Sequence, residues 1–132
     1  MLIIMASVRT FLVDDSPEFL DAAARFLATD PQIEIVGHAL SGRNAIEAVA
    51  RLRPDLVLMD VAMPEMNGFA ATRHIKGQPN PPRIIVLTLY DNDEYRVQAQ
   101  AAGADGFVAK SEFGTQLLPL IHRLVESGGP IC

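Results

Sequence analysis

Short apolar runs alternate along this chain with stretches in which apolar residues recur at helical spacing. Val8–Val13, Ile33–Ala39, Leu56–Met59, Ile84–Leu87 and Phe107–Ala109 are runs of strand length. Helical spacing is carried by Phe19, Ala23, Phe26 and Leu27, by Ala45, Val49 and Leu52, and by Leu117, Leu118, Ile121, Leu124 and Val125. Strand followed by helix throughout predicts parallel strands, right-handed crossovers and helices on both faces of one sheet. The unbroken apolar character of the third and fourth strands suits burial on both sides.

Local punctuation agrees. Ser16-Pro17-Glu18 reads as an N-cap, a proline at the first helical position and an acid in the first turn. Gly103, after Ala99–Ala102, is suited to a helix stop that needs the left-handed conformation. Pro119 would delete a backbone hydrogen bond inside a helix at a cost of about 3 kcal/mol or more. The last helix is therefore expected to begin near Thr115, with Pro119 in or just past its first turn. Ser127-Gly128-Gly129-Pro130 reads as the end of the domain.

Composition narrows the classes. A chain of 132 residues, 49% hydrophobic and 20% charged, suits one globular domain and excludes a disordered, collagenous or coiled-coil protein. The longest apolar run, Met1–Ala6, is too short to span a membrane or to form a secretory core segment. Eleven basic residues against sixteen acidic ones give a net charge of −5 with no basic block, which disfavours direct nucleic-acid binding. The one cysteine, Cys132, forms no internal disulfide, in keeping with a reducing, cytoplasmic setting.

In open parallel sheets chemistry collects at the carboxyl ends of the strands. The first strand ends in Asp14-Asp15, the third in Asp60, the fourth in Thr88 and the fifth in Lys110. If the strands follow the order 2-1-3-4-5, one of the two common doubly wound orders, strands one and three adjoin and the three carboxylates converge. Their repulsion calls for a divalent cation, and ligands made only of oxygen favour Mg²⁺ or Mn²⁺ over zinc. Such a site invites a phosphoryl group. Lys110 and the metal would neutralise its oxygens, Thr88 would donate a hydrogen bond, and Asp60, on the central strand, is best placed to attack phosphorus.

Each of these residues has an ordinary explanation by itself. Asp14-Asp15 can simply start a helix, Asp60 can open a loop, Thr88 can be a β-branched strand residue and Lys110 a solvated charge. Their joint placement at one edge carries the weight. Met59, Met63 and Met66 read as packing residues, and His38, His74 and His122 lie in separate elements without metal-ligand spacing.

At this point the chain resembles a response-regulator receiver domain, the CheY-like phosphoacceptor module of two-component signalling, from about Ser7 to Ser127. The resemblance rests on Val13-Asp14-Asp15-Ser16, on the run from Leu58 through Asp60, Met63-Pro64-Glu65-Met66-Asn67 and Gly68, on Leu87-Thr88, and on Ala101 through Lys110. It implies a three-layer, flavodoxin-like (βα)5 doubly wound α/β sheet in the order 2-1-3-4-5. The receiver would be residues 7–127, with 1–6 and 128–132 as short extensions. It further implies that Asp60 is phosphorylated and that Asp14, Asp15, Asp60 and the backbone carbonyl of Ala62 hold Mg²⁺. Thr88 and Phe107 match the family's hydroxyl and aromatic switch positions, and Lys110 its lysine. Ala62 and Tyr90 flank the site and tune phosphate lifetime. Alanine offers no side chain to position a water, which suits slow loss.

The implied partners are a sensor histidine kinase or phosphotransfer protein and a downstream output protein, with homodimerisation through the first and last helices possible by analogy. The domain would catalyse its own phosphorylation and dephosphorylation without turning over an external substrate, and so is not an enzyme in the ordinary sense. Leu87-Thr88-Leu89-Tyr90-Asp91 and Ala102-Gly103-Ala104-Asp105-Gly106-Phe107 are similar to NarL/LuxR-type regulators. Those usually carry a DNA-binding domain that this sequence lacks, so a single-domain regulator and a receiver fragment both remain open. Ser111 stands where many receivers have a cis proline, so no cis bond is expected. The rivals are a flavodoxin-like redox carrier, whose flavin phosphate the acidic Asp14–Glu18 loop would repel, and an aspartate-nucleophile phosphatase, which wants an acid where Ala62 stands. A docking module without phosphorylation is a third.

Overall fold

A computed structural model describes residues 7–63 and 66–127. The sequence readings made on Met1–Ala6, Pro64-Glu65, Gly128–Pro130 and Cys132 lie outside the described residues. Five strands, β1 (Val8–Val13), β2 (Ile33–Ala39), β3 (Leu56–Asp60), β4 (Arg83–Thr88) and β5 (Gly106–Ala109), alternate with five helices, α1 (Pro17–Leu27), α2 (Gly42–Leu52), α3 (Gly68–Lys76), α4 (Asp93–Ala102) and α5 (Phe113–Ser127). The strands are parallel and ordered β2-β1-β3-β4-β5, as the resemblance implied.

The two-residue alternation of a strand divides the core between the sheet's faces. Leu12 of β1, Leu56 and Leu58 of β3, Ile85 and Leu87 of β4 and Val108 of β5 pack with Leu20, Ala23 and Leu27 of α1 and Leu117 and Ile121 of α5. On the opposite face Phe11, Val13, Val57, Met59 and Ile84 pack with Ala45 and Val49 of α2 and Ala71 and Ile75 of α3. Beside them Val61, Phe69, Val86, Ala99 and Ala102 join α3 to α4. The central strand β3 is buried at every position, which is why it reads as a continuous apolar run.

Ser16, Ser41, Asn67 and Asn92 each accept a hydrogen bond from the third backbone N–H of the helix they cap. Gly103 ends α4 with φ +96°, as its position suggested. No cis peptide bond occurs among the described residues.

The last helix departs from expectation. It begins at Phe113, straight after a 3-10 turn over Lys110–Glu112, so Pro119 lies inside it and not near its start. Phe113 explains the early start, since its ring meets those of Phe19 and Phe26 edge-on at 5.6 and 5.2 Å. Burying an aromatic ring and adding two such contacts is worth about 2–4 kcal/mol, enough to offset the proline. Thr115 and Pro119 are both exposed, so the carbonyl that the proline leaves without a partner in the helix lies on the water-facing side.

Candidate functional site

β1 and β3 adjoin, and both end at the same edge of the sheet. The Asp14 N–H continues the β1–β2 ladder by donating to the Ala39 carbonyl at 3.1 Å, so the chain turns only after Asp14 has been placed. The turn uses the same side chain: Asp14 Oδ1 accepts the Ser16 N–H at 2.9 Å. Asp14 is buried and Asp15 exposed. Asp60, the last residue of β3, is 3% exposed and pairs with Leu87 of β4. Each of the three acids offers a carboxylate oxygen within 4.8 Å of the other two.

Lys110 leaves β5 on the first residue of the 3-10 turn. Its Nζ donates to Asp14 Oδ2 at 2.6 Å and stands 3.3 Å from Asp60 Oδ1. The ammonium also lies 4.3 Å from the centre of the Phe19 ring, on α1. One lysine thus serves two buried carboxylates and leaves negative charge over. Burial pushes the Asp60 carboxyl above its ordinary value of 3.8 and the Asp14 charge adds to that, while Lys110 and the Ala62 N–H act in the opposite direction.

Gly68 holds the loop after Asp60 against the strand. Its N–H donates to the Val61 carbonyl at 3.1 Å, and a Cβ at this position would fall 2.0 Å from the Asp60 carbonyl oxygen. Only hydrogen fits there. The start of α3 is thereby pinned beside the backbone that presents Asp60.

Thr88 ends β4 opposite Ala109, one residue before Lys110. It is fully buried, and its hydroxyl accepts the Tyr90 N–H at 3.1 Å. Phe107 is half-buried against the α3–α4 cluster, on the face of the sheet away from α1 and α5. Tyr90 is 51% exposed, with its ring 5.5 Å from that of Tyr95, and Ala62 is exposed. The fold therefore gathers Asp14, Asp15, Asp60 and Lys110 into one cluster, with Thr88 at the same edge and Phe107 and Tyr90 beside it. His38 and His74 are exposed, and His122 lies 2.7 Å from Asp30, which sits in the turn leading into β2 at the other end of the strands.

Three participants escaped the sequence reading as parts of the site. The Ser16 N–H was legible, because an aspartate two residues before an N–H is the ordinary Asx-turn arrangement. Gly68 stood in the run that carries the resemblance, but its close approach to the Asp60 and Val61 backbone shows only in the folded chain, and the placement of the Phe19 ring under Lys110 depends on elements far apart in sequence.

The chain matches the family described as response regulator receiver domain over residues 10–122. It is 31% identical over 124 residues to the transcriptional regulatory protein DegU of Brevibacillus brevis, covering 94% of this chain and 52% of that protein. It is 42% identical to a protein-glutamate methylesterase/protein-glutamine glutaminase of a Nocardioides species, covering 95% of this chain and 38% of the enzyme. This chain thus spans about half or less of these relatives. Among solved structures it is similar to a LuxR-family two-component response regulator from an Aurantimonas species, with a TM-score of 0.87, 30% identity and coverage of 92% and 87% of the two chains. The response regulator domain of Thermotoga maritima CheB superposes with a TM-score of 0.84, 25% identity and coverage of 91% and 97%. With its sheet order, its acidic edge and this match, the chain belongs to the response regulator receiver domain family of two-component systems.

Proposed function

We propose that Asp60 accepts a phosphoryl group from a phosphohistidine on a sensor kinase or phosphotransfer protein. The observation that carries this reading is the convergence of Asp14, Asp15 and Asp60 with Lys110 at one strand edge. Transfer forms a bond between an Asp60 carboxylate oxygen and phosphorus and breaks the phosphorus–nitrogen bond of the donor, whose imidazole leaves. Hydrolysis of the resulting acyl phosphate restores Asp60. Nothing external is turned over, so the domain acts as a signalling module.

The donor set suits a hard divalent cation: three carboxylates, all oxygen, with more negative charge than Lys110 balances. Asp14, Asp15 and Asp60 would hold Mg²⁺, or Mn²⁺, with the Ala62 carbonyl completing the protein ligands. The cation supplies positive charge against the phosphoryl oxygens. Lys110 provides a second positive charge from the other side, and the Thr88 hydroxyl turns from the Tyr90 N–H to donate to a phosphoryl oxygen. Phe107 fills the space that Thr88 leaves. The surface of α4, β5 and α5 changes shape, and an output partner selects the new shape. The shortness of Ala62 leaves no side chain to hold an attacking water, so loss of the phosphoryl group is slow; loss within seconds would contradict this point.

In this reading the receiver unit is residues 7–127, with 1–6 and 128–132 as extensions, and it works in the cytoplasm as a monomer or a homodimer through α1 and α5. Among the described residues no helix is long and apolar enough to cross a membrane. The test is incubation with acetyl phosphate and Mg²⁺ followed by intact-mass measurement. The native chain is expected to gain one phosphoryl group and Asp60→Asn none; equal uptake by the variant would remove Asp60 from the role.

A further inference from the structure

α4 lays little over its neighbours. Its buried residues are Ala99 and Ala102, both small. The long side chain that reaches β5 is Arg96, whose guanidinium carbon lies 4.6 Å from the centre of the Phe107 ring. Asp91, in the loop between β4 and α4, fixes that guanidinium: its Oδ1 accepts from Arg96 Nε at 2.9 Å and is 2.8 Å from the nearer terminal nitrogen. Asp91 directly follows Tyr90, whose backbone N–H donates to the Thr88 hydroxyl. A short bonded path therefore runs from Thr88 through the loop and Arg96 to Phe107.

We propose that Arg96 is a latch that holds Thr88 and Phe107 in the arrangement seen here and so opposes phosphorylation of Asp60. The inference rests on the phosphoacceptor reading above and adds a regulatory residue to it. A cation attracts the face of an aromatic ring only while the ring is presented to it. When Phe107 turns into the space beside Thr88, the guanidinium loses the ring. When Thr88 turns toward a phosphoryl oxygen, the Tyr90 N–H loses its acceptor, and the loop that carries Asp91 is released. Both contacts belong to one state only, and a contact of that kind shifts the equilibrium toward its own state. The Asp91–Arg96 ion pair, half-exposed at both ends, contributes little by itself. Its part is to aim the guanidinium, and the ring contact carries the bias.

The test is a titration of the full chain with beryllium fluoride, a phosphoryl mimic, at saturating Mg²⁺, followed by amide and ring resonances in NMR. Four proteins are compared: native, Arg96→Gln, Phe107→Leu and the double variant. Arg96→Gln is expected to tighten the apparent midpoint about two- to fivefold, the size of one partly exposed cation–ring contact. The Phe107 ring resonances, assigned from their loss in Phe107→Leu, are expected to shift in Arg96→Gln before any mimic is added. In the Phe107→Leu background the arginine substitution is expected to have no effect on the midpoint. Arg96→Lys, which keeps a cation but not the two-point hold on Asp91, should fall between native and Arg96→Gln. An unchanged or weaker midpoint in Arg96→Gln overturns the latch, as does an equal gain without the Phe107 ring. A native chain that takes up no mimic sinks the phosphoacceptor reading and the latch with it; a native chain that binds normally while Arg96→Gln is unchanged sinks the latch alone.

Discussion

Lys110 Nζ lies 2.6 Å from Asp14 Oδ2, a pair 96 residues apart in sequence whose side chains are 10% and 2% exposed. The same ammonium stands 3.3 Å from Asp60. It is the positive charge closest to two buried carboxylates, and the stability of the acidic edge depends on it.

Removing that charge should be costly. Lys110→Met keeps the side chain's length but leaves Asp14 and Asp60 facing each other without compensation, a loss of about 3 kcal/mol at neutral pH without divalent cations. Added Mg²⁺ should restore part of it, because a cation bound only by the folded state stabilises by mass action. Urea melts with and without Mg²⁺ measure both effects.

Asp60 carries a pH signature. Its carboxyl is raised above 3.8 in the folded chain, chiefly by burial and then by Asp14, so between 3.8 and the raised value the folded state holds more protons than the unfolded state. Stability contributed by this residue therefore falls as pH rises through that window. Asp60→Asn has no charge to desolvate and should be more stable than the native chain at pH 7 in metal-free buffer, by on the order of 1 kcal/mol. The advantage should vanish as pH falls below 3.8, where the native carboxyl is protonated in both states. Thermal melts of the two proteins across the acid range give the difference, and an advantage that grows on acidification would contradict the account.

Gly68 admits no side chain. In Gly68→Ala the new Cβ would meet backbone atoms of Asp60 and Val61, which cannot rotate away. The cost should reach at least the ~3 kcal/mol upper end of ordinary overpacking. Because the atoms displaced are those that present Asp60, acetyl phosphate uptake should fall in the fraction that remains folded. Melts and intact-mass time courses on the same samples separate the two losses.

Arg53 offers the opposite case. It ends α2 in the left-handed region with φ 50°. Its carbonyl accepts a bond from Arg9, which any residue at position 53 would preserve. Arg53→Gly should stabilise by about 0.5–1 kcal/mol, the strain relieved less the extra freedom of glycine in the unfolded chain. Phosphorylation should be unaffected, since this turn lies at the other end of the strands, and a rise in Tm with unchanged phosphoryl uptake is the expected result.

Much of the site was legible because strands announce themselves by burial. β3 is buried at every position, so Asp60 appears as the polar residue that ends an apolar run, and Asp14 and Lys110 appear likewise at the ends of β1 and β5. Thr88 was singled out by the same reasoning as the polar residue that ends β4, and its hydroxyl accepts the Tyr90 N–H. The helices after β3 and β4 were expected only from the alternation of elements; α4 buries just Ala99 and Ala102 and so leaves a weak apolar period.

The sequence by itself determined the five strands, the helices α1, α2 and α5, the caps at Ser16 and Gly103, and which polar residues reach the carboxyl edge, because each follows from local periodicity and backbone chemistry. Tertiary structure decided the rest. Phe113 packs on Phe19 and Phe26 and starts α5 early enough to enclose Pro119. Parallel pairing with two-residue alternation sends Asp14, Asp60 and Lys110 in step with Leu12, Leu58 and Val108 on the α1–α5 side, and Thr88 and Phe107 in step with Val86 on the other. Side-chain contacts across the sheet depend on which strands adjoin and on their register, and no window of the sequence shorter than the whole fold contains that information.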